Sequence, residues 1–523
     1  SLGWTQWGLG LFVLLGFVPL LLIFYNDLKY SETKNKPKIF IWAWLSFLVW
    51  NSITSYWIYH STLFGAIAAI FFSSLFMASV FWLAMFVWKK AGLRIGLISF
   101  VSFWLSFELL FMNSQISWPW LILGNAFANN ISLVQWYEFV GHLGGSLWVL
   151  MINVLIFLIV KDLIFNKERS SCLKKSVFLA IVFLIPITYS FIRYYTYVER
   201  LNPVDIIVIQ PNIDPYNEKF ARPASEQISD MISLMNSKAD ENVDFVVAPE
   251  TAMPTGMWED EINDDKNIKS LRSFLSAYPN ANIIIGADTR SIYWNGKNKT
   301  ETARRLGKTE DFYDLYNTAL MIDTSLDVQI YHKSKLVPGV EMMPYPKVLG
   351  FLGDFAVDLG GMSGSHGVQK ERTVFIRKND EIKTAAAICY ESVYGEFFAE
   401  FVKNGALFMC IITNDGWWEN TPGHRQHKSF ASLRAIETRR SIARSANTGI
   451  SCFVNQRGDI LQATNWWQKD VIRAEINLNN KLTIYTKYGD FLARMSLVIS
   501  GLLLLVLLSR MLMKYKPEET NKL

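Results

Sequence analysis

Seven apolar runs, 7–25, 39–58, 62–87, 93–112, 140–160, 176–194 and 491–511, dominate this chain and decide what it can fold into. About 20 such residues span the roughly 30 Å of bilayer hydrocarbon as a helix. A single run of this kind reads as a buried core helix; seven with aromatic ends read as a membrane bundle. None has the short apolar region and cleavage site of a secretion signal. Charged residues make up 19% of the chain, against about 25% in an ordinary soluble protein. The deficit is concentrated before about residue 198, and the block from about 200 to 490 is composed like a soluble domain. This excludes a purely cytosolic enzyme and a disordered or fibrous chain. The mass outside the apolar runs argues against a pure transporter. The net charge of +5 is spread over 523 residues and gives no nucleic-acid footprint. Four cysteines cannot make a disulfide framework.

Loop charges orient the bundle. Segment 26–38 carries Lys29, Lys34, Lys36 and Lys38; segment 88–94 carries Lys89, Lys90 and Arg94; segment 161–175 carries Lys161, Lys167, Arg169, Lys174 and Lys175. The alternate loops, 59–61 and 113–139, carry no Lys or Arg. By the positive-inside rule the basic loops and the tail (Arg510, Lys514, Lys516) face the cytoplasm, and the block 195–490 lies on the outer side. In loop 113–139 the stretch Trp118-Pro119-Trp120 is aromatic but broken by proline. It reads either as an interfacial element dipping into the headgroups or as a loop packed on neighbouring helices. The expected domains are a bundle over 1–198, a catalytic domain over 199–488, and a last span with a cytoplasmic tail over 489–523.

The soluble block has short apolar runs at 204–210, 243–248, 282–287, 317–323, 383–389, 406–413, 449–454 and 470–476. Several are continuously apolar, as in strands buried on both faces. Helical patterns intervene, notably at 224–238 and 426–445, and the alternation predicts a layered α/β domain.

Three strand ends carry reactive side chains: Glu250 after Pro249, Lys333 with Glu341 downstream, and Cys389 followed by Tyr390 and Glu391. A cysteine nucleophile needs a base for its proton and donors for the oxyanion formed on attack. Glu250 can serve as base, Lys333 can stabilise thiolate and oxyanion, and the Tyr390 N–H can add a second oxyanion contact. Taken singly, each has a plainer reading: a packed cysteine, a turn glutamate, a surface lysine.

In combination the segments Ala248-Pro249-Glu250-Thr251-Ala252, His332-Lys333-Ser334-Lys335-Leu336-Val337-Pro338 and Ile388-Cys389-Tyr390-Glu391 resemble the three signatures of the nitrilase superfamily, in its order Glu, Lys, Cys. Gln210-Pro211-Asn212-Ile213, Tyr316-Asn317-Thr318, Thr413-Asn414-Asp415-Gly416-Trp417 and Asn447-Thr448-Gly449 fit one branch of it. With the membrane part, nearly the whole chain resembles the apolipoprotein N-acyltransferase family of bacterial envelopes. Two departures stand out: Val337-Pro338-Gly339-Val340-Glu341 shifts the family's glycine but keeps its acid, and Asp415-Gly416-Trp417-Trp418 keeps one tryptophan in register. The family has eight membrane helices, so a further helix is expected before Ser1, where the chain opens without Met.

The resemblance implies a nitrilase-like αββα sandwich on the outer, periplasmic face of the bacterial inner membrane. It also implies a two-step acyl transfer. Cys389 would take the sn-1 acyl chain of a phospholipid such as phosphatidylethanolamine as a thioester and pass it to the α-amine of a diacylglyceryl-cysteine on an apolipoprotein. Glu250 would act as base, Lys333 as oxyanion partner, and Glu341, Tyr390 and Glu391 in support. Trp120, Trp417 and Trp418 suit an acyl-chain entrance, with plain packing the alternative for Trp417. No cofactor or metal is required. His424 and His427 lack ligand-spaced partners and read as a polar helix start. Gly307-Lys308-Thr309 lacks the upstream glycine of a phosphate loop, and the sequon at Asn298 carries no weight in a bacterial chain. Cys172 is expected in a cytoplasmic loop, and Cys410 and Cys452 in apolar strands. Arg439, Arg440 and Arg444 are expected on helix 426–445 as solvated or paired charges, with a headgroup contact as the alternative. Two rival readings are a membrane-tethered amidase acting on a small C–N substrate and a non-catalytic membrane scaffold.

Overall fold

The computed structural model describes residues 1–4, 8–30, 38–166, 169–349 and 365–514. Lys34, Lys36, Lys167 and Lys516, on which part of the charge argument rests, lie outside the described residues. Among those described, seven helical segments are long and apolar enough to cross a membrane. They are built on α1 (Val18–Tyr30), which follows a 3-10 turn at Gly10–Leu15, α2 (Ile39–Ser55), α3 (Leu63–Ala91), α4 (Leu93–Met112), α5 (Tyr137–Lys161), α6 (Arg169–Thr196) and a C-terminal helix, Phe491–Lys514. Each α2 turn exposes large apolar side chains such as Trp42, Leu45, Val49 and Ile53. Only lipid can cover such a surface, because within hydrocarbon the helix already satisfies its own backbone. Cys172 lies inside α6, which starts earlier than the apolar run and takes up part of the basic segment.

Loop 113–139 folds as three 3-10 turns, Pro119–Leu121, Leu123–Phe127 and Ile131–Leu133. Residues 119–128 are buried throughout, so the loop is packed against protein. Trp120 is fully buried, with its Nε1 donating to Gln426 Oε1 at 2.9 Å. Its ring has no free face for an incoming acyl chain, and the entrance role expected for it does not fit. It belongs instead to a cluster with Trp57, Trp118 and Trp418, with centroids 5.0–5.6 Å from its own.

The soluble block is an αββα sandwich. One sheet contains β1 (Pro203–Gln210), β2 (Phe245–Val247), β3 (Met253–Trp258), β4 (Asn282–Tyr293), β5 (Arg304–Arg305), β6 (Phe312–Ile322), β7 (Gln329–His332) and β14 (Asp470–Asn477). The other runs in order β13 (Ile460–Ala463), β12 (Cys452–Val454), β11 (Ile442–Ala446), β10 (Phe408–Thr413), β9 (Lys383–Ile388), β8 (Phe375–Ile376). Alternation along β1 shows how the layers form. Val204, Ile206 and Val208 join the core between the sheets, while Ile207 and Ile209 join the cluster containing α7 (Ala224–Asn236) and α8 (Lys266–Ala277). On the far side α9 (Gly395–Lys403) and α10 (Pro422–Thr438) cover the second sheet. The core between the sheets continues through α9 and α10 into the membrane bundle as one buried cluster, from Trp4 to Ala493.

One expected element is corrected. The helix expected over 426–445 ends at Thr438, Arg439 turns the chain with φ 50°, and β11 begins at Ile442. Left-handed C-caps are usually Gly or Asn, so an arginine there gives no stop signal. The three arginines are buried and bonded within protein rather than solvated or open to a headgroup. Arg439 Nε donates to Glu138 Oε2 at 2.8 Å, Arg440 Nε to the Ala406 carbonyl at 2.8 Å, and Arg444 Nη2 to Asp415 Oδ2 at 2.6 Å.

Candidate active site

Glu250, Lys333, Glu341 and Cys389 come from the segments that follow three strands, β2, β7 and β9. β2 runs between β1 and β4 and releases the chain at Ala248-Pro249-Glu250. The turn is pressed onto β4: a Cβ on Gly286 would lie 2.6 Å from Glu250 Cα and 2.5 Å from the Thr251 nitrogen. Only glycine permits that approach. β6 presents Asn317 directly opposite Asp288 of β4. Asn317 Nδ2 donates to Glu250 Oε1 at 2.8 Å and to Glu341 Oε1 at 3.0 Å, bridging the two acids. Sequence reasoning quoted this asparagine only as part of a motif and gave it no role.

Lys333 follows β7, and its N–H donates to the Asn317 carbonyl at 2.8 Å. It is 1% exposed, with Nζ 3.0 Å from Glu250 Oε1 and 2.8 Å from Glu341 Oε1. Burial alone would lower its pKa, but the two carboxylates hold it well above the usual lysine range. Glu341 Oε2 accepts the Val337 N–H at 2.8 Å, so the acid keeps its place despite the shifted glycine. Burial works against its charge, yet Lys333 keeps it below the usual carboxylate range. Glu250 Oε2 accepts the Asn414 N–H at 3.1 Å, completing its fixation.

Cys389 follows β9 directly and opens a 3-10 turn, Cys389–Val393. Its φ of 51° is left-handed, a conformation that costs a non-glycine residue about 1–2 kcal/mol. The surroundings impose it. Its carbonyl accepts from Ser392 Oγ at 2.7 Å and lies 3.1 Å from His427 Nε2. His427 Nδ1 is 2.9 Å from Asp415 Oδ1, and Arg444 holds the other carboxylate oxygen. Burial works against the Asp415 charge, but Arg444 and His427 keep its pKa well below the usual range. His427 thus lies at a helix start as expected, but fully inside and tied to the cysteine loop. Glu391 is buried and ties two loops together: Oε2 accepts the Ile388 N–H at 2.8 Å, and Oε1 accepts the Ser334 N–H at 2.6 Å and the Tyr331 hydroxyl at 2.8 Å. Tyr390 donates through its hydroxyl to the Ser117 carbonyl at 2.6 Å, reaching into the membrane part.

Burial and the neighbouring Glu250 raise the Cys389 thiol, with Lys333 pulling the other way. The resting group is therefore a thiol, and its attack needs a base to take the proton. Trp417 and Trp418 remain half-buried. The Trp417 carbonyl accepts from Ser61 Oγ at 3.1 Å and Tyr216 Oη at 3.0 Å, just beyond the C-terminal end of α2.

Residues 208–481 match the carbon-nitrogen hydrolase family model, and residues 1–155 match that of the apolipoprotein N-acyltransferase N-terminal domain. An apolipoprotein N-acyltransferase of Chlorobaculum tepidum is 30% identical over 503 residues, 94% of this chain and 91% of that protein. This chain belongs to the apolipoprotein N-acyltransferase family. Another apolipoprotein N-acyltransferase, from Geobacter metallireducens, is 26% identical over 400 residues, 76% of this chain and 71% of its own length. Among solved structures, a CN-hydrolase superfamily protein of Xanthomonas campestris is 15% identical with a TM-score of 0.36, covering 53% of this chain and 91% of that one. As a member of the apolipoprotein N-acyltransferase family, the protein is an acyltransferase with a membrane bundle and a nitrilase-like domain.

Proposed function

We propose that the protein moves a fatty acyl chain from the sn-1 ester of a phospholipid, through a thioester on Cys389, to the α-amine of a diacylglyceryl-cysteine on an apolipoprotein. The site lies, in this reading, on the periplasmic side of a bacterial inner membrane. The observation that carries it is the Glu250–Lys333–Glu341 cluster beside a thiol at a strained strand end, in a domain whose core is continuous with a lipid-facing bundle.

In the first half, Glu250 takes the thiol proton as sulfur attacks the ester carbonyl. The carbonyl oxygen becomes an oxyanion facing Lys333 and the Tyr390 N–H, one of the N–H groups that a helix start leaves unpaired. The C–O bond breaks, Glu250 returns the proton to the departing alkoxide, and lysophospholipid leaves. In the second half the acceptor amine attacks the thioester, Glu250 takes its proton, the C–S bond breaks and the thiol is restored. Glu341 keeps Lys333 charged and aimed, and Glu391 holds the cysteine and lysine loops in register.

Mass spectrometry of the protein after incubation with phosphatidylethanolamine tests this. A hydroxylamine-labile fatty-acyl mass on the Cys389 peptide, absent from Cys389→Ala, is expected. Folded protein that forms no adduct would shift the reading to an amidase of small C–N substrates or to a scaffold.

A further inference from the structure

Lys219 stands out as a cation with no assigned task. It lies on the segment between β1 and α7 and is 5% exposed. Its backbone is held on both sides: its N–H donates to the Asp214 carbonyl at 2.9 Å, and its carbonyl accepts from Gln227 Nε2 at 2.9 Å. Its ammonium lies 6.0 Å from the centre of the Phe220 ring, and among the described residues it has no carboxylate within ion-pair distance. Its segment is tied to the loops of the site, since Asn447 Nδ2 donates to the Ile213 carbonyl at 2.7 Å and to Oδ1 of Asn414, whose N–H holds Glu250. The charges of Asp288, Glu250, Cys389 and Lys333 all act on Lys219. Burial is the largest influence and lowers its pKa. Asp288 faces the site from β4, directly opposite Asn317, and is only half-buried.

A buried ammonium facing only an aromatic ring and no counter-charge is costly, and the cost falls when a ligand brings an anion. The same segment indicates which ligand. Two residues flanking Lys219 are exposed aromatics, Tyr216 at 49% and Phe220 at 69%. Tyr216 Oη also donates to the His60 carbonyl at 3.2 Å, placing the segment just beyond the C-terminal end of α2. The segment thus presents aromatic rings beside the bundle and a buried cation under the influence of the catalytic charges. The complementary molecule is an amphiphile with an anion close to its scissile ester.

We propose that Lys219 binds the phosphate of the phospholipid acyl donor and thereby selects phospholipids over uncharged acyl esters. This rests on the acyl-transfer reading above. Lys333 is committed to two carboxylates, so the phosphate falls to Lys219.

The test compares S-acylation of Cys389 by phosphatidylethanolamine, phosphatidylglycerol and 1,2-diacylglycerol, which carries the same ester and no phosphate. The full chain is used in mixed micelles. The wild type is expected to favour both phospholipids over diacylglycerol by roughly tenfold or more, the worth of one charge-assisted hydrogen bond. In Lys219→Met that ratio falls towards one, and Lys219→Arg retains part of it. Glycerophosphoethanolamine, which has the phosphodiester and no acyl ester, should compete with phospholipid in the wild type; this measurement needs no variant. A Lys219→Met protein that keeps the ratio, or slows all three donors equally, overturns the proposal, as does a wild type indifferent to glycerophosphoethanolamine. A wild type that acylates from no donor instead removes the acyl-transfer reading, and the phosphate site with it.

Discussion

At the scale of single residues, the charges around Cys389 make opposed predictions for its two neighbours. Glu250 raises the thiol and Lys333 lowers it. Glu250→Gln therefore lowers the thiol pKa and speeds alkylation of Cys389 by iodoacetamide at neutral pH, while abolishing acyl transfer. Lys333→Met raises the pKa and slows alkylation, and the wild-type rate climbs as pH rises above neutral because the thiolate alone reacts. A Glu250→Gln protein with unchanged or slower alkylation would remove Glu250 from the sulfur's surroundings. Glu341→Gln leaves Lys333 with one carboxylate, and acyl transfer should fall by about tenfold to a hundredfold, the worth of a hydrogen bond to a charged group. Its alkylation rate should change less than that of Glu250→Gln. Glu250, Lys333 and Cys389 were legible because each stands in a motif at a strand end. Asn317 and Lys219 were not, because their meaning depends on which strand or loop lies opposite.

At the scale of elements, β4 and α10 position the site. Gly286→Ala on β4 drives a methyl into the Glu250 turn, which should cost roughly 1–3 kcal/mol as overpacking does. It should lower S-acylation more than it lowers the yield of folded protein. Arg444→Met strands Asp415 in the core, where breaking a buried pair costs about 3–5 kcal/mol. A loss of monodisperse protein on size-exclusion chromatography is expected, partly restored by Lys at that position. Most strands read correctly, since stretches such as 385–388 and 408–412 are continuously apolar and buried on both faces. The end of α10 did not read, because Arg439 takes a conformation that sequence patterns assign to glycine.

At the scale of the whole molecule, the bundle and the sandwich share their interior. Trp120 meets Trp418, Tyr390 reaches Ser117, Arg439 pairs with Glu138, and the His142 N–H, just after the kink at Gly141, donates to Glu437 Oε1 at 2.8 Å. Residues 199–488 produced alone should therefore aggregate, with Trp418 and Phe430 stripped of their partners; a soluble, monomeric fragment would contradict the shared core. Composition revealed that two parts exist, one apolar and one soluble in character. It could not reveal that they are joined, because residues such as Gln135 and Arg439 look like surface groups until their partners are placed. A core without a seam also makes unfolding cooperative. Heated in detergent, the protein should lose bundle and sandwich in one calorimetric transition, so a detergent that loosens the helices will lower the heat tolerance of a catalytic centre it never touches.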